Sequence, residues 1–130
     1  VLRGGKRLTE DGLWYEPTLI SPLSNESEIV QREVFGPVLT FQTFADEDEV
    51  VPLANSTEYG LVGGIFTADI DAAHRAARRI YAGQIFINEW FAGGVETPFG
   101  GYAKSGYGRE KGREALWNYV QTKNIAYRTR

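Results

Sequence analysis

The sequence predicts an α/β fold in which strands and helices alternate and part of the sheet is parallel. Three observations predict it. Short apolar stretches of strand composition recur at residues 13–20, 38–44, 61–66 and 84–88. The clearest helical pattern, residues 69–81, falls between the last two of these. Glycine, proline and polar clusters punctuate the chain at nearly every boundary. Strands separated by a helix-length connection pair in parallel within a layered α/β arrangement.

The elements follow in order. Residues 13–20 read as the first strand, with Pro17 confining its middle to an edge or an irregular course. A polar stretch, 21–28, leads into 29–35, which is expected to make one or two helical turns. Residues 38–44 alternate apolar and polar and read as a strand. Asp46 stands three residues before Glu49, and the first turn is acidic throughout, so a helix is expected to run to about Asn55. Pro52 inside it lacks a donor and makes it short or distorted. Gly60 and Leu61 close a turn before the buried strand 61–66.

In the helix 69–81, Ile70, Ala73, Ala77, Ile80 and Tyr81 make one apolar stripe, and Asp71 and Arg75 pair on the other face. Gly83 is expected to end this helix at its C′ position. Strand 84–88 follows, then a long glycine-rich, aromatic loop over 89–108. A last helix is expected over 110–120, with Gly112, Leu116, Tyr119 and Val120 on one stripe, and a closing strand over 123–128. A loop as long as 89–108 is uncommon in a compact domain unless it is functional or covers something.

Composition removes several classes. With 42% hydrophobic and 24% charged residues, the 130-residue chain is an ordinary globular sequence of one domain's length. It has no cysteine, which excludes disulfide scaffolds, thiolate zinc sites, iron–sulfur clusters and thiol nucleophiles from its own residues, and fits a reducing, cytoplasmic setting. The net charge of −3 argues against a nucleic-acid binder. No apolar run approaches the roughly 20 residues of a membrane span. Residues 1–5 contain no apolar leader segment, and the absence of an initiator methionine places the expected start of the protein upstream.

Conventional catalytic constellations are missing. The single histidine, His74, reads as a packing residue at the border of the apolar stripe. No Gly-x-Ser-x-Gly elbow and no Walker loop occur. Gly106, Gly108 and Gly112 are one residue off the dinucleotide fingerprint and follow a loop, so they read as glycines that turn the chain or let it pass close to something. No metal site is expected; the acidic run 46–49 reads as a solvated helix start.

Two segments stand out. In Arg32-Glu33-Val34-Phe35-Gly36-Pro37 a carboxylate precedes an aromatic at a Gly-Pro turn. Glu33 has the chemistry to accept two sugar hydroxyls and Phe35 to lie against a planar ring; the plain alternative is a surface glutamate and a core phenylalanine. In 88–101, Trp90, Phe91 and Phe99 sit among small residues, either lining a pocket or folding into the loop's own core.

These segments carry a resemblance. Glu33-Val34-Phe35-Gly36-Pro37-Val38 resembles the Glu-x-Phe-Gly-Pro signature of the NAD(P)-dependent aldehyde dehydrogenases. In the family's order follow Leu53-Ala54-Asn55 through Tyr59-Gly60-Leu61, then Phe66-Thr67-x-Asp69, Ala82-Gly83-Gln84-Ile85-Phe86-Ile87-Asn88, Pro98-Phe99-Gly100-Gly101 and Ser105-Gly106-Tyr107-Gly108-Arg109-Glu110. The similarity covers essentially the whole chain.

The resemblance implies that residues 1–120 are the C-terminal portion of a catalytic domain, with part of its parallel sheet, and that 121–130 form the closing strand of an oligomerisation region. It implies NAD or NADP as cofactor, with Glu33 on the nicotinamide-ribose hydroxyls and Phe35 beside the nicotinamide. Asn88 closes the strand that leads into the substrate-side loop, and Asn88, Trp90, Phe91 and Phe99 line the aldehyde tunnel. The implied partners are the aldehyde and further copies of the subunit, with no nucleic acid and no membrane. Ala103 departs from the family, which often has lysine there; Lys104 stands one place later.

Family chemistry needs a cysteine thiolate to attack the aldehyde, hydride transfer to NAD(P)+, and base-assisted hydrolysis of the thioester. No catalytic residue for these steps lies in this chain, and the dinucleotide-binding domain is absent from it. The chain is therefore expected to be inactive alone, to bind cofactor weakly or not at all, and to fold marginally with exposed strand edges. A non-catalytic module that associates with a homologous subunit or a complementary fragment is the competing reading, and a stand-alone nucleotide binder ranks below both.

Overall fold

The computed structural model describes residues 1–130. Their order is β1 (Thr18–Ile20), α1 (Glu28–Gln31), β2 (Val38–Thr40), α2 (Glu47–Ala54), β3 (Tyr59–Gly60), β4 (Val62–Ile65), α3 (Ile70–Arg79), β5 (Gln84–Ile87), β6 (Tyr102–Ala103) and a 3₁₀ helix, Arg113–Tyr119. The two strand pairs bridged by a helix, β1·β2 and β4·β5, are parallel, and β3·β6 is antiparallel. This is the expected α/β pattern with small parallel sheets. The chain divides into two units, Val1–Glu58 and Tyr59–Arg130.

In the first unit, the expected strand 13–20 shortens to three residues because Pro17 has no N–H to give a ladder. Residues before it turn back instead: Leu8 N–H donates to the Trp14 carbonyl and Glu16 N–H to that of Lys6, each at 3.0 Å. The far side of β1 meets the N-terminal segment, with Leu19 N–H donating to the Arg3 carbonyl at 3.0 Å. On the other side Thr18, Leu19 and Ile20 face Val38, Leu39 and Thr40. The final bond runs from Phe41 N–H to Ile20, and the following Ser21-Pro22 offers no further ladder, so β2 stops well short of residue 44. Thr18 is buried, and its hydroxyl donates to Glu16 at 2.7 Å while accepting Gly5 N–H at 2.8 Å. Asp46 caps α2 by accepting Glu49 N–H at 3.0 Å, and the Glu49 carboxylate returns to Ala45 N–H at 2.6 Å. With Pro52 inside it, α2 ends after eight residues.

The second unit is built on β4-α3-β5. Asp69 caps α3, its carboxylate accepting Ala72 N–H at 3.0 Å. Ala73 and Ala76 are buried and Ala77 half-buried, whereas Ile70 and Tyr81 are exposed. The stripe differs from expectation because the helix stops at Arg79 and Ile80 is already extended, so Tyr81 leaves the helical phase. His74 is exposed and is not a packing residue.

Gly83 does not cap α3. It runs against Gly100, where a methyl group at position 83 would overlap the Gly100 carbonyl oxygen. This contact brings the expected loop 89–108 into order. Gln84 Nε2 donates to the Pro98 carbonyl at 2.9 Å, and Phe99 and Glu110 exchange both backbone hydrogen bonds at 2.7 Å. Gly106, Gly108 and Gly112 all take positive φ, consistent with turning the chain. The expected helix 110–120 is a seven-residue 3₁₀ helix with Leu116, Trp117 and Tyr119 exposed. A helix that buries no apolar face gains little stability over its local bonds. Residues 121–130 pair with no strand of this chain.

The buried apolar residues are few: Val51 in the first unit, and Ala73, Ala76 and Phe86 in the second. The chain exposes 10766 Å². Two separate compact units of these sizes would expose only about 8,300 Å². No helix is long and apolar enough to cross a membrane.

Backbone approach, more than core volume, therefore sets local stability. Gly83→Ala is expected to cost about 3 kcal/mol or more, because the added carbon meets backbone that cannot rotate away. Removing the α3 cap with Asp69→Ala is expected to cost about 1 kcal/mol. Urea unfolding measures both, and a parental midpoint for Gly83→Ala contradicts the close approach.

Candidate functional site

The residues singled out by sequence fall in two places, one in each unit. In the first, the segment after α1 makes two successive tight turns: Gly36 N–H donates to Val34 at 2.6 Å and Val38 N–H to Gly36 at 2.8 Å. Thr18 N–H donates to the Pro37 carbonyl at 2.7 Å and ties these turns to β1. Arg32 pairs with Glu28 at 3.3 Å, so the neighbouring arginine is not engaged by Glu33. The Glu33 carboxylate is exposed and takes no partner within the chain. Phe35 is 93% exposed, so the core-phenylalanine alternative does not hold. A rigid, backbone-tied turn thus displays an acceptor-only carboxylate and a bare aromatic face two residues apart. A cavity of about 680 Å³ also lies in this unit, lined by Arg3, Glu16, Leu19, Pro37 and Leu39 among others, and it contains neither Glu33 nor Phe35.

In the second unit, β5 delivers Phe86 and then Asn88. Phe86 is 6% exposed and lies beneath Trp90 and Phe91. All three ring pairs have centroids 5.7 Å apart, with Trp90 edge-on to both phenylalanines. Trp90 and Phe91 nevertheless remain 54% and 63% exposed. The loop therefore rests its aromatics on a small core and still presents their outer faces. Trp90 sits over Gly64 of β4, where a β-carbon would stand 2.7 Å from its ring.

Asn88 has φ +56° and points its amide at Thr67, accepting that residue's N–H at 2.8 Å and donating to its carbonyl at 2.9 Å. Phe99 is not part of the three-ring cluster. Half-buried in the bridge to Glu110, it has the Lys111 ammonium 5.8 Å from its ring centre. Beyond it, Arg109 donates to the carbonyls of Gly101 and Gly108 at 3.0 and 2.6 Å and stacks 5.4 Å from the Tyr102 ring, closing the glycine turn.

Sequence reasoning missed Phe86, Gly64 and Thr67. Phe86 was hidden inside an apolar strand, while the Gly63-Gly64 pair within a strand is a signal of close approach by another group. No group of three or more His, Cys, Asp or Glu side chains converges to hold a metal ion.

Comparison with known proteins gives concordant results. The model of the aldehyde dehydrogenase family matches residues 1–125. A betaine aldehyde dehydrogenase of Bacillus subtilis is 43% identical over 131 aligned residues, covering 98% of this chain and 27% of that protein. Among solved structures, a betaine aldehyde dehydrogenase from Staphylococcus aureus in complex with NAD+ superposes with a TM-score of 0.89 at 43% identity, covering 96% of this chain and 26% of that one. A mutant of the P. syringae indole-3-acetaldehyde dehydrogenase, in complex with NAD+ and IAA, gives 0.88 at 38% identity, covering 94% and 25%. The chain thus spans about a quarter of the length of these relatives.

If Glu33 and Phe35 are displayed for a ligand and not for the fold, removing them is nearly free. Glu33→Gln and Phe35→Ala are each expected to change stability by less than about 0.5 kcal/mol. A loss above about 1.5 kcal/mol in urea unfolding makes the residue structural instead.

Proposed function

The chain belongs to the aldehyde dehydrogenase family, and from that premise we propose that it supplies the nicotinamide-ribose contacts and one wall of the substrate tunnel for NAD(P)+-dependent oxidation of an aldehyde to a carboxylic acid. The observation that carries this reading is the Glu33–Phe35 turn: an unpaired carboxylate and an almost fully exposed ring, held by backbone bonds that pack neither of them.

The residues fit the cofactor's chemistry. A carboxylate with no internal donor has lone pairs for two adjacent ribose hydroxyls. A bare phenylalanine face suits a planar nicotinamide and excludes water from one side of it. When bound, NAD(P)+ serves as the acceptor for hydride. Glu33 then orients the sugar and Phe35 limits the swing of the ring. Trp90 and Phe91 pack the aldehyde's carbon skeleton, with Phe99 further along the wall. The chain has no cysteine, so the thiolate attack of the family mechanism is not made by its own residues, and no activity is assigned to it alone.

The choice between NAD and NADP is left to groups outside this turn, since neither Glu33 nor Phe35 addresses the adenosine ribose. Association with further copies of the subunit through residues 121–130, where Ile125 and Tyr127 are exposed, belongs to the same reading, as does a cytoplasmic setting.

Titration of the chain with two halves of the cofactor tests this. Nicotinamide mononucleotide is expected to shift the amide resonances of 33–37 in the same direction as NAD+, weakly, while AMP leaves them unmoved. Glu33→Gln is expected to abolish the shifts. Equal response to AMP, or an unchanged response in Glu33→Gln, contradicts the assignment.

A further inference from the structure

We propose that Asn88 is a positioning residue for the Trp90–Phe91 wall, using its side-chain amide as one more rung of the β4·β5 ladder. The last paired residues are Ile65 and Ile87, and Asn88 N–H still donates to the Ile65 carbonyl at 2.8 Å. There the backbone turns away, at φ +56°. Thr67, the next residue on the β4 side whose backbone groups face β5, would lose both its ladder bonds. The Asn88 amide replaces them, accepting Thr67 N–H at 2.8 Å and donating to Thr67 C=O at 2.9 Å.

The residue type is determined twice over. Only a short amide offers a donor and an acceptor on two adjacent atoms at this reach; a carboxylate would set oxygen against the Thr67 carbonyl, and a hydroxyl has both functions on a single oxygen and cannot face the N–H and C=O of Thr67 side by side. Asparagine also tolerates left-handed backbone better than other residues with a side chain. The two Thr67 bonds fix which way the amide points, since the flipped orientation sets donor against donor.

The consequence lies two and three residues on. Because the chain leaves the sheet at 88, Trp90 folds back over β4, with its ring on Gly64, where a β-carbon would approach to 2.7 Å. Phe91 follows at φ +58°, an unfavourable conformation for a bulky residue. It is held there by ring contacts with Trp90 and Phe86. Asn88, Gly64 and the Phe86 ring thus fix the aromatic faces from three sides. The positioning stands on this geometry; that the positioned faces meet an aldehyde rests on the reading above.

The test uses the full chain with Trp14→Phe and Trp117→Phe, which leaves Trp90 as the only tryptophan, and no aldehyde or cofactor. Failure of the enzymatic reading therefore does not alter its result. Asn88→Asp and Asn88→Gly are expected to shift Trp90 emission to the red and increase its quenching by acrylamide at temperatures where the chain is folded. Gly64→Ala is expected to produce the same change with the Thr67 amide resonance unmoved, because it displaces the ring without touching the clamp. A parental Trp90 signal in folded Asn88 variants, with only a lowered melting temperature, makes Asn88 merely structural and overturns the proposal. If both Asn88 variants fail to fold, the Thr67 amide of the parent decides: slow hydrogen exchange supports the clamp, and exchange at the rate of residues 121–130 refutes it.

Discussion

Gly63 and Gly64 face opposite sides of the β4·β5 pair, and much of the second unit depends on their having no side chains. On one side a β-carbon at 63 would press on Ile85 at 2.8 Å and meet Ile80, the residue that ends α3. On the other a β-carbon at 64 would press on Trp90. The strand can therefore be approached closely from both faces at once. α3 carries the chain back so that β5 runs parallel, and β5 places Ile85 and Phe86 opposite the two glycines. Burying Phe86 contributes about 2–3 kcal/mol, in a unit whose other buried apolar residues are alanines. Trp90 and Phe91 extend that small core outward without being absorbed by it.

A similar economy operates elsewhere. Gly83 meets Gly100 backbone to backbone, and Gly60 meets the Tyr81 carbonyl in the same way. In the first unit, the buried Thr18 hydroxyl joins Gly5 to Glu16, and Thr18 N–H holds Pro37. Close backbone contacts and ladder bonds fix the position of turns while leaving the side chains on them free. That suits a chain whose relatives are about four times as long: the groups read as contacting cofactor and substrate stand on its surface, and many large apolar residues remain uncovered. Exposed apolar surface on this scale marks faces that other groups cover.

What was legible in the sequence follows the same physics. α3 announced itself through helical periodicity, though its Asp69 cap was not read from the sequence, and α2 through Asp46 and Glu49. Pro17 marked where β1 could begin. The Glu33–Pro37 turn was readable from Gly36-Pro37, and the ordered motifs around it identified the family. The order within residues 97–112 was not readable, because glycine-to-glycine backbone contacts leave no hydrophobic period. Gly83 was misread as a helix end for a related reason: a glycine after a helix is more often a cap than a point of close passage. The C-terminal stripe at 112–120 had the right spacing, but Leu116 and Tyr119 find nothing in this chain to pack against, so the segment winds as 3₁₀. The role of Asn88 was half visible, since its position at the strand end is a matter of sequence and its grip on Thr67 is a matter of register.

The most direct test is a double-mutant cycle between Gly64 and Trp90 in urea unfolding. With Trp90 present, Gly64→Ala should destabilise, because the new carbon enters the space of the ring. With Trp90→Ala in the background, the same substitution should become neutral or stabilising, since alanine in a strand avoids the entropic cost of glycine. That reversal of sign is what a strand left bare for the aromatic wall predicts. An equal cost of Gly64→Ala in both backgrounds would mean that Trp90 does not rest on β4.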